Sequence, residues 1–410
     1  MTASGDQLRA LAAGFAVLFV GTGVNFAFGI LFKPILGDLG VDRSTLALAA
    51  TASLLVNAAG QPVFGVLVDR FGPRRVILVS MALMTLGTAL VSRVTEPWQL
   101  ILLYGVVVAF GYTGCGILPV SVHVSRWFPA ERGFVMAMAA CGFSLGHLAF
   151  TQAAAWADGL VGWRQTYLFL AAVLAGSLGV FTVVLREAPA PPVGTARRHD
   201  PSGPVTESLD RRAALRTRAF WALTLGLMGC GFTDFLLTTH LAPHATDLGL
   251  TSGVAANAIS LWAAANVLGI LAAGTVAARI GTRPALVLTY GLRAAALFYL
   301  PAARESWQLY VFAALFGATF FTTAPLSSTL VGQLFGPAHH GAIFGIANLF
   351  HHSAGALGSY AGGLAFDLAG SYRPVFLLAA LVVVGSAGVT ALARRPASSG
   401  SEGDRAARGR

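Results

Sequence analysis

Charges and Pro/Gly clusters cut the chain into twelve apolar stretches of about twenty residues or more, and this constrains its fold more than any other feature. A helix of about 20 apolar residues crosses the hydrocarbon core of a bilayer. The stretches fall at 10–36, 45–68, 75–93, 98–125, 132–156, 163–186, 218–246, 251–278, 284–303, 307–332, 340–366 and 372–393. Of 410 residues only 11% are charged and 56% are hydrophobic, with mean hydropathy +0.71. A soluble domain carries about 25% charged residues, so this chain cannot cover a water-facing surface. Disorder, a nucleic-acid-binding fold and a secreted disulfide scaffold are excluded together. The +10 charge lies between apolar runs and not on one face, so it is no footprint for nucleic acid. Cys115, Cys141 and Cys230 stand in separate stretches with neither disulfide nor metal-ligand spacing. The first stretch is too long for a signal-peptide core and reads as a retained helix. The expected fold is all-α, integral to the membrane, with twelve transmembrane helices.

Positive charge sets the orientation. With the N-terminus inside, the inner segments hold 20 of the 27 basic residues and the outer loops hold six, Lys33, Arg43, Arg93, Arg164, Arg304 and Arg373. Arg293 is left within a span. This bias puts both termini in the cytoplasm and implies a multi-pass protein of the cell's inner membrane. Six of the seven tryptophans (98, 127, 156, 163, 221 and 307) stand at span ends, as interfacial anchors do.

Residues 187–217 form the one long polar interior stretch, rich in Pro, Gly and Arg, and read as a cytoplasmic linker. It divides the chain into an N-terminal six-helix bundle (1–186) and a C-terminal one (218–393), followed by a tail (394–410). The halves repeat at one offset. Asp38-Leu39-Gly40 recurs as Asp247-Leu248-Gly249, GVLVDRFGPRR (65–75) as GTVAARIGTRP (274–284), and Trp163-Arg164 as Tyr372-Arg373, each 209 residues on. A parallel repeat of this kind implies a pseudo-twofold axis along the membrane normal and a central site between the halves.

Asp69, Arg70, Gly72 and Arg74, following Gly65, resemble the loop 2–3 signature of the major facilitator superfamily, and the resemblance covers nearly the whole chain. WFPAERGFVMAM (127–138) is similar to a segment of its monocarboxylate and oxalate–formate branches. CGFTDFLLTTHLAPHATDLGL (230–250), TYGLRAAALFYLP (289–301) and the glycine-rich span ending in FDLAGSY (366–372) are similar to bacterial members of that neighbourhood. The resemblance implies two pseudo-symmetric six-helix bundles, with spans 1, 4, 7 and 10 lining a central cavity and span 9 peripheral. It departs at Asn266 and Ile270, which stand where monocarboxylate carriers place an Asp and an Arg. It also departs at His147, which follows Gly146 where drug antiporters carry a Gly-Pro step.

Charges inside a span cost about 2.5–3.5 kcal/mol each on the insertion scale and mark function by default. Of 17 acids only Asp234 is interior, in span 7, and the one interior base is Arg293, in span 9. By helical rise they lie roughly 24 and 14 Å from the inner ends of their spans, near the limit of what two side chains bridge. They read either as a structural ion pair or as a proton-binding acid beside an anion-attracting base. Asp234 stands 209 residues after Asn25, so the central polar groups of spans 1 and 7 are equivalent.

His147 in span 5 and His351 and His352 in span 11 are candidates for substrate or proton binding, or for interhelical hydrogen bonds. Asn348 shares a face with His352. Tyr112 in span 4, Thr323 in span 10, and Trp262 with Asn266 at i, i+4 in span 8 complete the candidate set. His240 and His244, near the outer mouth, are expected to be solvated. Gly341, Gly345, Gly358 and Gly362 form two small-xxx-small steps expected to pack closely. Asp69, Arg70 and Arg74 read as a gating latch at the inner end of span 2, one-sided because Ala278 replaces the acid in the second half.

No GxxxxGK[ST] loop is present, so ATP is not the expected driver. No enzymatic nucleophile set, metal or cofactor is expected. The expected function is secondary transport by alternating access of a small organic anion, a mono- or dicarboxylate, with protons or by exchange. Efflux of a hydrophobic or cationic compound and a non-transporting ligand sensor are the alternatives.

Overall fold

The structure, a computed structural model, describes residues 5–128, 132–187, 209–336 and 339–393. The central part of the linker and the C-terminal tail lie outside these residues. Ten helical segments are long and apolar enough to cross a membrane. One of them, Met138–Val184, bends at Gly162, whose φ of 79° no helix accommodates, and so carries two spans. His340–Ala369 adds another, its 30 residues reaching about 45 Å. The spans are α1 Gly5–Leu39, α2 Arg43–Phe71, α3 Pro73–Val91, α4 Pro97–Trp127, α5 132–161 and α6 163–184. The second half comprises α7 Arg218–Asp247, α8 Ser252–Ile280, α9 Thr282–Tyr299, α10 Ser306–Phe335, α11 His340–Ala369 and α12 Arg373–Ala391. Among the described residues there is no strand. This is the expected twelve-helix, two-bundle membrane fold.

Local chemistry starts the helices where the sequence demands it. Thr217 caps α7 and Thr251 caps α8 through their hydroxyls. Glu96 with Gln99 and Glu305 with Gln308 form reciprocal capping boxes at the starts of α4 and α10. These boxes, each followed by Leu, are a further match at the 209-residue offset. Four of the span-end tryptophans, Trp98, Trp156, Trp221 and Trp307, are exposed on the lipid-facing surface, whereas Trp163 is buried.

Within each half one close pair dominates: α1 lies along α5, and α7 along α11. A Cβ at Gly146 would run into the Phe19 carbonyl on α1, and one at Gly358 into the Phe232 carbonyl on α7. Gly362 likewise packs against His240, but nothing lies within 4 Å of Gly341 or Gly345. The first small-xxx-small step therefore makes no close helix contact.

Between the halves α2 meets α11 and α5 meets α8. The hydrogen bonds joining the halves run from the end remote from the N-terminus, called distal here, to mid-depth. Lys33 and Arg43 reach Asp247 distally; Thr51 donates to the Ala356 carbonyl; Gln152 donates to Asn257 and Ser260; Asn266 donates to Ser144.

His240 and His244 are not solvated as expected. His240 is fully buried between the Ser359 carbonyl (2.7 Å) and the Tyr372 hydroxyl (3.2 Å), and the His244 ring stands edge-on to Phe376. Phe32 of the first half helps to cover His240, whereas His244 is half-buried against Tyr372 and Phe376 of its own half.

Candidate functional site

Two of the twelve helices are interrupted at mid-depth, and they are repeat partners. α4 passes through a wide turn at 103–108, stops at Cys115–Gly116 and restarts at Ile117; α10 stops at Thr319 and restarts at Thr323. Each restart carries a proline in its first turn, Pro119 and Pro325, where no backbone donor is needed. An interrupted helix in a membrane frees backbone groups that must find partners, and such breaks mark binding sites in transporter folds.

In α10 the partners are the sequence candidates. Arg293 on α9 donates from Nη2 to the carbonyls of Thr319 and of Phe320 (2.8 Å), and its Nε lies 3.4 Å from Thr319 Oγ1. Its Nη1 reaches Asp234 Oδ1 on α7 at 2.7 Å, Cys230 Sγ at 3.0 Å and Thr233 Oγ1 at 3.3 Å. The guanidinium also faces the Phe316 ring at 5.1 Å. Asn266 on α8 accepts from the Phe321 N–H (2.9 Å), the donor freed at the same break. Thr323 shares a 3.1 Å contact with Cys230 Sγ. Asp234, Arg293, Asn266 and Thr323 thus form one polar node around the interruption.

All three guanidinium nitrogens are engaged and the Arg293 side chain is 0% exposed, while that of Asp234 keeps 8%. Arg293 is thus enclosed by Asp234, Cys230, Thr319, Phe320 and Phe316, and Asp234 is the member of the pair that retains some exposure. The span-depth arithmetic left the pair marginal; the inward reach of Arg293 to the α10 break closes the gap. The first half has no such pair. Positions 209 residues earlier hold Asn25 and the buried Met84, so one half is charged and its repeat neutral.

Asn25 is half-buried at the middle of α1, its carbonyl accepting from Tyr104 Oη (3.0 Å) and its Oδ1 buried without a partner. Tyr112, also half-buried, precedes the α4 break. His147 and Trp262 belong to an aromatic layer joining the halves: Phe26 on α1, His147 on α5, Trp262 on α8, then Phe316 and Phe320 on α10. His351 donates from Nδ1 to the Leu227 carbonyl (3.0 Å) and His352 to the Asn348 carbonyl (2.9 Å). Both rings stand beside Phe235, and His351 packs directly against Gly231 of α7, the residue after Cys230 of the node. Among the described residues no group of three His, Cys, Asp or Glu is placed to hold a metal.

The latch residues divide. Arg74 caps the end of α6, donating to the carbonyls of Leu185 (2.6 Å) and Thr182 (2.8 Å). Asp69 and Arg70 are exposed and make no ion pair among the described residues. Lys33, Arg43, Asp247 and Tyr372, which join the distal ends, are further functional candidates. In the sequence Asp247 opens the repeated Asp-Leu-Gly and Tyr372 the repeated aromatic–Arg pair, which are the available signals.

Asn266 offers a test of the node's structural role. Asn266→Ala strands the Phe321 N–H and unpairs Ser144, a loss of about 1–3 kcal/mol. The purified variant should melt at a clearly lower temperature than the protein carrying Ser144→Ala, which leaves the break capped.

A family model described as Major Facilitator Superfamily matches residues 13–253 and 224–409. Monocarboxylate transporter 13 of Rattus norvegicus is 26% identical over 372 residues, covering 90% of this chain and 84% of the relative. The oxalate:formate antiporter of Oxalobacter formigenes is 25% identical over 368 residues, covering 88% and 85%. A bacterial homologue of the human lysosomal transporter Spinster, in an inward-facing and unoccupied conformation, superposes with TM-score 0.75 at 14% identity, covering 95% of this chain and 97% of its own. A variant of the nucleoside transporter NupG gives TM-score 0.73 at 16% identity, covering 95% and 100%.

Proposed function

The chain belongs to the Major Facilitator Superfamily, a family of membrane transporters and not of enzymes, and from this premise we propose that it moves a small organic anion by alternating access, coupled to protons or by exchange. The observation that carries the reading is the Asp234–Arg293 pair at the interrupted α10, with Asp234 the partner that keeps exposure. A substrate carboxylate takes the place of Asp234 on Arg293, and the released carboxylate accepts a proton. The occupied carrier then reorients without a stranded charge, which a low-dielectric span penalises. Asn25, Tyr112, His147, Trp262, Asn266, Thr323, Asn348, His351 and His352 supply the surrounding polar and aromatic surface. Relatives named for monocarboxylates and for oxalate and formate support the anion class.

The basic residues favour cytoplasmic termini in the inner membrane, which makes the distal end the outer one. The joined distal ends then correspond to an inward-facing state. Asp69 and Arg70, exposed here, serve as the half of the latch that engages when the inner ends close, and Arg74 holds α3 to α6. Residues 187–217 act as the linker between two bundles, 1–186 and 218–393.

A thermal-shift screen of the detergent-purified protein tests the reading. Binding to the folded state raises the melting temperature, by an amount that grows with the logarithm of ligand concentration over Kd. Mono- and dicarboxylates should stabilise it, whereas amino acids, sugars and lipophilic cations should not. Stabilisation by lipophilic cations alone would assign the protein to efflux instead.

A further inference from the structure

At the distal end two cations of the first half converge on one carboxylate of the second. Lys33 Nζ lies 2.8 Å from Asp247 Oδ1; Arg43 lies 2.6 Å from Oδ2 through Nη1 and 2.8 Å from Oδ1 through Nη2. The Arg43 side chain is nine-tenths buried, held over the Phe366 ring at 3.5 Å and donating to Tyr372 Oη at 2.6 Å. A second carboxylate of the second half sits one arginine's reach away. Asp367 accepts from the backbone N–H groups of Arg43 (3.1 Å) and Ser44 (2.8 Å) at the start of α2. This face of the first half thus holds two carboxylates in adjacent places, each made to measure by charge or by hydrogen bonds.

Alternating access separates the halves here. Opening leaves Lys33 and Arg43 together on one side without an anion, and Asp247 and Asp367 on the other. We propose that Lys33, Arg43 and the Arg43–Ser44 backbone form a binding site for a dicarboxylate whose two carboxylates are spaced by a flexible chain comparable to an arginine side chain, and that Asp247 and Asp367 occupy it as tethered substitutes while the distal end is closed. A dicarboxylate offers one group to the cation pair and the other to the α2 N–H groups, so it replaces both tethered acids and a monocarboxylate replaces only one. The ligand opens the gate by competition, and an empty carrier stays shut. A cavity of about 280 Å³ between α1, α5, α7 and α8 has Lys33, Thr246 and Asp158 on its wall, so the Lys33 ammonium, 39% exposed, is open to a small solute from that side. This site narrows the anion reading given above to dicarboxylates and rests on it.

Electron-resonance distances between spin labels at Thr95→Cys and Ala302→Cys, on a Cys141→Ala background, report the distal opening. Succinate, glutarate or adipate should lengthen the distance, and acetate, oxalate or chloride should do so only at tenfold or higher concentration. Lys33→Gln and Arg43→Gln should each raise the half-effect concentration at least tenfold, and Asp247→Asn, which keeps the site and removes its tethered occupant, should lower it at least tenfold. Arg43→Lys, retaining the charge, guards against loss of fold. A wild-type distance unmoved by succinate, glutarate and adipate overturns the site, as does an unchanged response in both glutamine variants. Counterflow of the same labelled anions into vesicles separates the two failures. Exchange without a gate response removes the distal site alone; no exchange of any organic anion and no response removes the anion reading with it.

Discussion

Arg293→Gln should destabilise the folded protein by about 3–5 kcal/mol, and adding Asp234→Asn should recover most of that loss. The single change leaves a carboxylate buried at 8% exposure with one thiol contact, from Cys230 at 3.2 Å. The double change removes both charges while amide groups remain to bond across α7 and α9. Melting in detergent with the three variants gives the coupling directly. Simple addition of the two single effects would mean that Arg293 is held by the Thr319 and Phe320 carbonyls of the α10 break and not by Asp234.

How far the sequence anticipated this node depends on the kind of signal. The spans were legible because a bilayer imposes a length and punishes charge, and the halves because one offset recurs. Asp234 and Arg293 stood out for the same reason: each is alone of its kind inside a span. The interruption of α10 was not legible, since Phe320-Phe321-Thr322-Thr323 contains no helix breaker and only Pro325 hints at a restart. Without the break, nothing in the sequence explains why Arg293 points inward from α9, or why Asn266 matters. The same limit hid the distal cluster. Lys33, Arg43 and Asp247 look like ordinary loop charges until two halves, distant in sequence, close on each other. His240 is hidden from a sequence reading for that reason, since Phe32 of the first half closes on its ring, whereas His244 is covered by Tyr372 and Phe376 of its own half.

The second large effect concerns coupling. Asp234→Asn removes the only acid of the node but leaves Arg293 with its carbonyl partners and an open place for a substrate carboxylate. Exchange of anion for anion should therefore continue within several-fold of wild type, while accumulation driven by a proton gradient should fall at least tenfold. His351 is held by the Leu227 carbonyl and His352 by the Asn348 carbonyl, and neither ring hydrogen-bonds to Asp234 or Arg293, so His351→Gln and His352→Gln should each keep the gradient response. Loss of the response in a histidine variant, with Asp234→Asn unaffected, would move the proton site to α11.

Uptake of a labelled carboxylate into proteoliposomes, with and without an inwardly directed acid gradient, tests the central claim most directly. The account predicts faster uptake and net accumulation with the gradient in the wild type, and exchange without accumulation in Asp234→Asn. A wild type that neither responds to the gradient nor exchanges anions, while accumulating a lipophilic cation in the same vesicles, would contradict it.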